Sequence, residues 1–391
     1  MFFRNFAALN EKTIIMMNTK TILVFRKPLL LIVWLLAMQG AAFAQNLRET
    51  FSSPNGKIEW KAEGEENKVK AFDLVYRDAS KGNKESQVLH ITGYGLTTGD
   101  GGGRNLNLKN ISKPKYISEH YQMLMGKKSE CKNEANEIVY TFEDDLQRPL
   151  RMVVRLYNDG VAFRYELEGL QHTSIKQDLT TYHISEGTRR WFQEWTESYE
   201  NFFPLSTTGK GGKQHWGYPC LLEQNGVYSL ITEAGIERIN SASSLKNGQN
   251  PEDYHVFLDE NTQHYSGNWK SPWRVVVIGK KQDLIASTLV TDVSAPCRLK
   301  DTSWIKPGSV SWIYWAYNHG SNDLNIIKKY VDMAKTLHLP YVLIDAEWDE
   351  MKNGATIEEA LKYAKDRGVK PLLWYNSSTA WCDPTPLYRL N

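Results

Sequence analysis

The chain divides into two stretches with different spacing of apolar residues. From residue 47 to about residue 293, short runs alternate apolar and polar positions and are separated by turn residues, which is typical of half-buried strands. Met152–Leu156 and Val161–Leu167 are two such runs, joined by turn-forming residues, and Asn225-Gly226 is a common hairpin turn. The pattern predicts an N-terminal antiparallel β-sandwich over residues 45–300.

After Pro307 the spacing changes, and strand-like runs alternate with stretches in which apolar residues recur every three or four positions. The predicted order is strand 311–315, helix 323–337, strand 341–345, helix 357–367 and strand 369–375. Short connections between such elements imply a parallel sheet. The second strand is nearly all apolar, so we predict that both of its faces are buried. One face of the first helix carries Ile327, Tyr330, Val331, Ala334 and Leu337.

An apolar segment near the N-terminus has the features of a secretory signal peptide. Arg26 and Lys27 precede the apolar run Leu29–Met38, and Ala42-Phe43-Ala44 has the small-residue spacing of a cleavage site. The run is shorter than the roughly 20 residues of a membrane-spanning helix. We predict that residues 1–44 are removed and that the protein is exported, periplasmic or extracellular, with no membrane span after cleavage. An uncleaved anchor helix is the alternative.

Charge and cysteine content exclude several classes of partner. The 391 residues carry a formal net charge of +2, but residues 1–44 hold five Lys or Arg and one Glu, so the remainder carries −2. Such a chain is a poor match for nucleic acid or an anionic membrane. The four cysteines lack the spacing of a zinc site. The 13 Trp and 20 Tyr are a weak indication of sugar binding, because aromatic rings stack on sugars as well as filling cores.

Polar and aromatic residues follow each predicted parallel strand. Catalytic groups of a (β/α)8 barrel lie at the C-terminal ends of its strands, so a site is expected there. Carboxylates accept hydrogen bonds from sugar hydroxyls, and indole rings cover apolar sugar faces. The candidate substrate-binding residues are Trp315, Asp345, Glu347, Trp348, Trp374 and Asn376. Loop solvation or helix capping is the alternative for Asp345 and Glu347, and packing is the alternative for Trp315 and Trp374.

Three strand-end segments after the β-sandwich, Ser311–Trp315, Tyr341–Trp348 and Leu373–Ser377, give the sequence its most specific features. With them, the chain resembles glycoside hydrolase family 97 over essentially all residues that follow the signal peptide. The resemblance implies an N-terminal β-super-sandwich, a catalytic (β/α)8 TIM barrel and a small C-terminal β domain. That family contains inverting α-glucosidases and retaining α-galactosidases. Asp345–Trp348 and Trp374–Ser377 are more similar to the α-galactosidases.

The resemblance also implies a substrate and a cofactor. It implies an exo-acting bacterial enzyme that removes terminal α-linked galactose from an α-galactoside oligosaccharide or glycan with retention of configuration. A calcium ion (Ca2+) near the reaction centre is implied as well, and Glu200 matches the glutamate ligand that the sandwich donates. Without the resemblance, Glu200 is an ordinary surface carboxylate. Calcium takes about six to eight oxygen ligands, so the remaining ligands are expected from the barrel.

The barrel expected from the resemblance is incomplete in this sequence. A (β/α)8 barrel needs about 250 residues, whereas residues 307–391 provide 85, enough for the first three strands and two helices. The resemblance places the nucleophile on the fourth strand and the acid/base later still. No catalytic residue is therefore expected within this chain, only beyond Asn391, and the 391 residues by themselves are predicted to be an inactive fragment. An inverting α-glucosidase of the same family and a non-catalytic carbohydrate-binding fragment are the alternatives.

Overall fold

The computed structural model describes residues 46–196, 200–212, 214–258, 263–314, 316–317 and 320–375. The predicted signal peptide lies outside these residues. The first twenty strands of the described part are Asn46–Ser52 (β1), Ile58–Glu65 (β2), Lys68–Asp78 (β3), Lys84–Gly93 (β4), Leu96–Thr98 (β5), Asn107–Ile111 (β6), Lys115–Gln122 (β7), Glu130–Glu143 (β8), Pro149–Tyr157 (β9), Gly160–Thr173 (β10), Ile175–Asp178 (β11), Thr181–His183 (β12), Arg189–Glu194 (β13), Leu205–Ser206 (β14), His215–Gln224 (β15), Val227–Ala234 (β16), Ser243–Asn247 (β17), Asp253–Leu258 (β18), Tyr265–Lys270 (β19) and Trp273–Gly279 (β20).

Antiparallel pairing connects these strands, as the alternating pattern predicts. Within the described residues, 18 of them belong to one hydrogen-bonded network, and β5 pairs separately with β11. The predicted hairpin is β9–β10, in which Tyr157 lies opposite Gly160 across a two-residue turn. The prediction of a mostly antiparallel, sandwich-like N-terminal part is therefore confirmed.

The strands β10 and β20 are buried on both faces, because each contributes alternate residues to two hydrophobic clusters. On β20, Val276 and Ile278 join the larger cluster, whereas Val275 and Val277 join the smaller one. This double burial explains why β20 is an almost continuous apolar run instead of an alternating one. Its one charged residue, Arg274, is also buried.

Arg274 forms the central ion pair of the sandwich. Its guanidinium donates to Asp178 Oδ2 at 2.9 Å and to Glu233 Oε2 at 2.6 Å, so it connects β20 to β11 and β16. All three side chains are nearly inaccessible to solvent. Removing one partner of such a buried group costs roughly 3–5 kcal/mol, since the other charges are left uncompensated.

Two short helices follow β20, where the sequence pattern predicts further strands. They are Lys281–Ala286 (α1) and Leu289–Asp292 (α2). The extension of the strand pattern to residue 293 is thus wrong. Leu289 and Val293 are buried in the smaller hydrophobic cluster, so these helices cover the second face of β20.

The remaining elements form a parallel β-α-β-α-β unit in the predicted order. They are Val310–Trp312 (β21), Leu324–Thr336 (α3), Tyr341–Ile344 (β22), Ile357–Asp366 (α4) and Lys370–Leu373 (β23). The strand β22 lies between β21 and β23, and Trp312, Leu343 and Leu372 are neighbours in the register. Pairing of β21 ends at Trp312, earlier than predicted, because the chain then turns and the Tyr317 N–H donates to Ile313 O at 3.2 Å.

Both helices of this unit pack on the same face of its sheet. Ile327, Val331 and Ala334 of α3 are fully buried, as predicted, in one cluster with Val342 and Ile344 of β22.

In the part of the chain that the structure describes, none of the helices combines the length and the apolar character needed to cross a bilayer.

Two burial predictions for this unit are wrong. Leu337 was expected on the buried face of α3 but is 59% exposed, because it lies beyond the last helical turn. The strand β22 is fully buried on its helix-facing side only. On the other side, Trp312 is 36% and Leu372 is 44% exposed. That the unit is the start of a (β/α)8 barrel stays a prediction.

Candidate functional site

Four of the predicted substrate-binding residues lie in the described part of the chain. Asp345, Glu347 and Trp348 follow β22, and Trp374 follows β23. Trp315 and Asn376 lie outside the described residues. Because the three strands are parallel, their C-terminal ends meet at one edge of the sheet.

The reacting groups of the predicted enzyme are expected beyond Asn391, and the strand ends do not test this expectation. Asn391 itself, with the rest of the segment after Tyr375, lies outside the described residues. The placement of the nucleophile and the acid/base beyond Asn391 therefore stays a prediction.

Asp345 is held in a fixed orientation by three hydrogen bonds. Trp312 Nε1 donates to Asp345 Oδ2 at 2.6 Å, and the Ala346 N–H donates to Oδ1 at 2.7 Å. The Asp345 N–H donates to Ser321 Oγ at 2.8 Å. Asp345 is only 6% exposed. Loop solvation therefore does not describe this carboxylate, which orients an indole at the strand ends.

Glu347 lies in a turn with a left-handed backbone conformation, φ 69°. This conformation costs a residue with a Cβ roughly 1–2 kcal/mol. The Glu350 N–H donates to Glu347 O at 2.9 Å and closes the turn. Asn322 Nδ2 donates to Glu347 Oε2 at 2.8 Å, which connects the turn to the 3-10 helix Gly320–Asn322. Strained backbone of this kind concentrates at functional sites.

The two tryptophans connect the ends of β22 and β23. Trp348 Nε1 donates to Trp374 O at 2.8 Å, and the Trp374 N–H donates to Ile344 O at 3.0 Å. The Trp348 ring also meets the Tyr375 ring edge-on, with centroids 5.4 Å apart. Since Trp348 packs against the helix-side cluster, packing accounts for most of its surface. Tyr375, 61% exposed, is the more accessible ring.

Three groups that build this edge were not among the predicted site residues. Trp312, Ser321 and Asn322 each hydrogen-bond a predicted acidic residue or its backbone. Trp312 could have been found from the two-residue period of a strand, since it aligns with Leu343 and therefore lies on the same face as Asp345. Ser321 and Asn322 come from a connecting segment whose path the sequence does not specify.

Glu200, the predicted calcium ligand, lies exposed in the segment that precedes β14. Across the residues that the structure describes, no three His, Cys, Asp or Glu side chains converge as a metal site would require. Calcium binding stays a prediction.

Comparison with known protein families shows the family to which the chain belongs. A family model described as "Glycosyl-hydrolase 97 N-terminal" matches residues 51–296, well over half of the chain. The chain belongs to glycoside hydrolase family 97. Family 97 membership is what the sequence resemblance predicts, and the match covers the sandwich that the structure describes.

Two curated relatives of this family 97 chain are named as α-galactosidases. The "Probable retaining alpha-galactosidase" of Streptomyces bingchenggensis is 28% identical over 73% of this chain and 47% of its own length. The "Retaining alpha-galactosidase" of Bacteroides thetaiotaomicron is 24% identical over 83% of this chain and 55% of its own length. The chain spans about half the length of these relatives.

Solved structures support the family 97 fold. A β-arabinopyranosidase structure matches with a TM-score of 0.71 at 23% identity, covering 85% of this chain and 56% of that one. A family 97 enzyme from Pseudoalteromonas sp. strain K8, solved with acarbose, matches with a TM-score of 0.69 at 19% identity. That match covers 83% of this chain and 53% of the other. At these identities the matches speak for the fold alone.

Proposed function

We propose that this chain is the N-terminal part of a glycoside hydrolase that removes terminal α-linked galactose from oligosaccharides or glycans with retention of configuration. Family membership supports hydrolysis of a glycosidic bond, and the names of the two curated relatives support the galactoside and retention. The single structural observation behind the proposal is the hydrogen bond from Trp312 to Asp345 at the strand ends. It holds a carboxylate and an indole together, a combination that suits a sugar ring.

In this proposal Asp345 binds substrate and does not react with it. A retaining hydrolase needs two carboxyl groups about 5–5.5 Å apart, one attacking the anomeric carbon and one protonating the leaving oxygen. Both Asp345 oxygens already accept hydrogen bonds from the protein, so the carboxylate is suited to orient a hydroxyl through its remaining lone pairs. The nucleophile and the acid/base are expected in barrel strands beyond Asn391.

The binding role of Asp345 is tested in the full-length enzyme with an aryl α-galactoside. Asp345→Asn keeps the shape but replaces one acceptor oxygen with a donor, and we expect kcat/KM to fall about 10–100-fold. Glu358→Gln, at an exposed position in the first turn of α4, is the matched control and should change little. Equal activity of the two variants would show that Asp345 does not bind the substrate.

The same assay separates the alternatives. Release of α-galactose as first product supports retention, whereas preference for an aryl α-glucoside with inverted product assigns the enzyme to the α-glucosidases. The 391 residues alone are expected to release no sugar, and sustained turnover by them would contradict the assignment of the reacting groups to later strands. Binding without turnover in the full-length protein would favour the carbohydrate-binding alternative.

Calcium dependence and export are further parts of the proposal. A chelator should lower the activity of the full-length enzyme, and added Ca2+ should restore it. Glu200→Gln should raise the calcium concentration needed for half-maximal activity. For export, N-terminal sequencing of protein recovered outside the cytoplasm should begin at Gln45.

A further inference from the structure

A cleft lies on the sandwich, apart from the strand-end site. It has a volume of about 590 Å³ and lies between β7, β8, the β9–β10 turn and the helices α1 and α2. Every residue that lines it precedes residue 293, so it shares no residue with the strand-end site. Its size falls in the range of small-molecule sites, about 300–1,000 Å³.

The floor of the cleft contains a buried amide without a partner. Asn133 is 7% exposed, and neither its Oδ1 nor its Nδ2 makes a well-formed hydrogen bond within the described residues, although the amide lies close enough to Asp292 to act on that carboxyl. The hydroxyl of Tyr157, another lining residue, is buried beside the Arg155 guanidinium and likewise makes no well-formed hydrogen bond. Buried polar groups in native proteins are nearly always hydrogen-bonded. The donors and acceptors of these groups are therefore available to a ligand or to ordered water.

Asp292 adds a fixed acceptor to the same cleft. Its Oδ1 accepts from the Tyr121 hydroxyl at 2.6 Å, and its Oδ2 accepts from Thr288 Oγ1 at 3.2 Å. Burial, together with the negative charge of Asp159, raises the pKa of Asp292 above its ordinary value, and the hydrogen bonds from Tyr121 and Thr288, with a smaller effect of the nearby Asn133 amide, offset part of this rise. The amide, the Tyr157 hydroxyl and this carboxylate come from three different elements, so the fold itself brings these donors and acceptors together.

The charges around the cleft exclude other ligand classes. Lys57, Lys128 and Lys132 line the cleft, but the acidic lining residues outnumber them. An anionic ligand is therefore not favoured. Across the described residues no three side chains of the metal-ligating types converge, so a metal ion is not favoured either. A neutral ligand with several hydroxyl groups fits an amide that donates and accepts, a hydroxyl and a carboxylate.

We propose that this cleft is an accessory site for a neutral mono- or disaccharide, separate from the strand-end site. Asn133 Oδ1 accepts a hydrogen bond from one sugar hydroxyl, and Asn133 Nδ2 donates a hydrogen bond to another. Asp292 accepts from a further hydroxyl. Such a site would hold a glycan on the sandwich independently of turnover.

The proposal is tested by titrating the protein with melibiose and with methyl α-D-galactopyranoside, followed by calorimetry and by ligand-detected NMR. Asn133→Ala should weaken binding at least 10-fold. The melting temperature of this variant should be unchanged or higher, because a buried amide without a well-formed hydrogen bond is removed. Asn136→Ala on the same strand is the matched control: Nδ2 of Asn136 donates to Ser52 O at 2.8 Å, so the variant should lose stability and keep binding.

Each outcome decides the proposal. Asp345→Asn should leave binding to the cleft unchanged, which separates this site from the proposed active site. Equal binding by wild type and Asn133→Ala would place the sugar elsewhere and overturn the proposal. A lower melting temperature of Asn133→Ala would show that the amide is structurally paired and would overturn it too. No binding of either probe at millimolar concentration, or a crystal structure with water alone at Asn133, would have the same consequence.

Discussion

The conformation of Glu347 gives a residue-scale test of strain at the strand ends. Its φ of 69° is unfavourable for any side chain with a Cβ, and its carboxylate accepts a hydrogen bond from Asn322. A residue retained in such a conformation is expected to be needed for its side chain and not for its backbone preference.

Comparing Glu347→Gly with Glu347→Ala isolates the backbone effect. Both variants lack the carboxylate, so the loss of the Asn322 hydrogen bond is common to them. We expect Glu347→Gly to be more stable than Glu347→Ala by about 1 kcal/mol in chemical denaturation, the reverse of the usual order at a position with negative φ. An Ala variant as stable as the Gly variant would show that the turn relaxes out of the left-handed region.

The position of a single residue could be predicted where the sequence pattern shows that the residue directly follows a strand. Asp345 and Glu347 follow an apolar strand directly, so their place at the sheet edge could be predicted from the sequence. Trp312 was not predicted because it lies inside the strand run, and the two-residue period leads to it only when combined with the register of β21 and β22. Asn322 depends on the path of a connecting segment, which has no periodicity.

At the scale of elements, an ion pair connects the end of β3 to the start of α1. Lys280 Nζ donates to Asp78 Oδ2 at 2.6 Å, and Ser80 Oγ donates to Asp78 Oδ1 at 2.6 Å. The hydrogen bond from Lys280 is the largest cause that lowers the pKa of Asp78 to about 2, followed by the one from Ser80.

The lowered pKa predicts how stability depends on pH. A carboxyl with a depressed folded-state pKa stabilises the fold above its unfolded pKa, near 3.8, and this contribution is lost as the pH falls toward 2. Lys280→Met should therefore unfold at lower urea concentration than wild type at pH 7. The difference between the two should shrink as the pH falls from about 4 to 2.

Lys281→Met, at the next and exposed position, is the matched control and should follow wild type at every pH. NMR titration of the Asp78 carboxyl provides a direct check. A constant difference between Lys280→Met and wild type down to pH 2, or an Asp78 pKa near 3.8, would contradict the assigned ion pair.

Element-scale prediction depended on turn chemistry and on length. The β15–β16 hairpin was predictable because Asn225 and Gly226 both have positive φ, 55° and 78°, which this residue pair tolerates well. The helices α1 and α2 span only six and four residues, too short to show a helical period. Leu289 of α2 is buried in the smaller hydrophobic cluster and Leu284 of α1 packs against it, and these are tertiary contacts that the sequence does not display.

For the whole molecule, the order of elements was more predictable than the burial of each face. Alternation predicts an antiparallel part followed by a parallel part, and both are observed. The prediction that β22 is buried on both faces was wrong, because an all-apolar strand does not show from its sequence that one of its faces is only partly covered. In the proposed full-length enzyme this face would line the inside of a barrel.

The open face yields a prediction whose sign depends on the length of the protein. Trp312, Leu343 and Leu372 form an apolar row, and Leu372 is 44% exposed. In the 391-residue chain such a row promotes self-association. Leu372→Lys should therefore lower the aggregate fraction in light scattering, with little change in melting temperature.

In the full-length enzyme the same substitution should have the opposite consequence. If the remaining strands close a barrel over the row, Leu372→Lys would bury an unpaired ammonium group and should destabilise the enzyme by more than about 2 kcal/mol. Leu337→Lys, 59% exposed at the end of α3, is the matched control and should be neutral in both proteins. A Leu372→Lys enzyme as stable as wild type would show that barrel closure leaves this face open, because a lysine is tolerated only where water reaches its ammonium group.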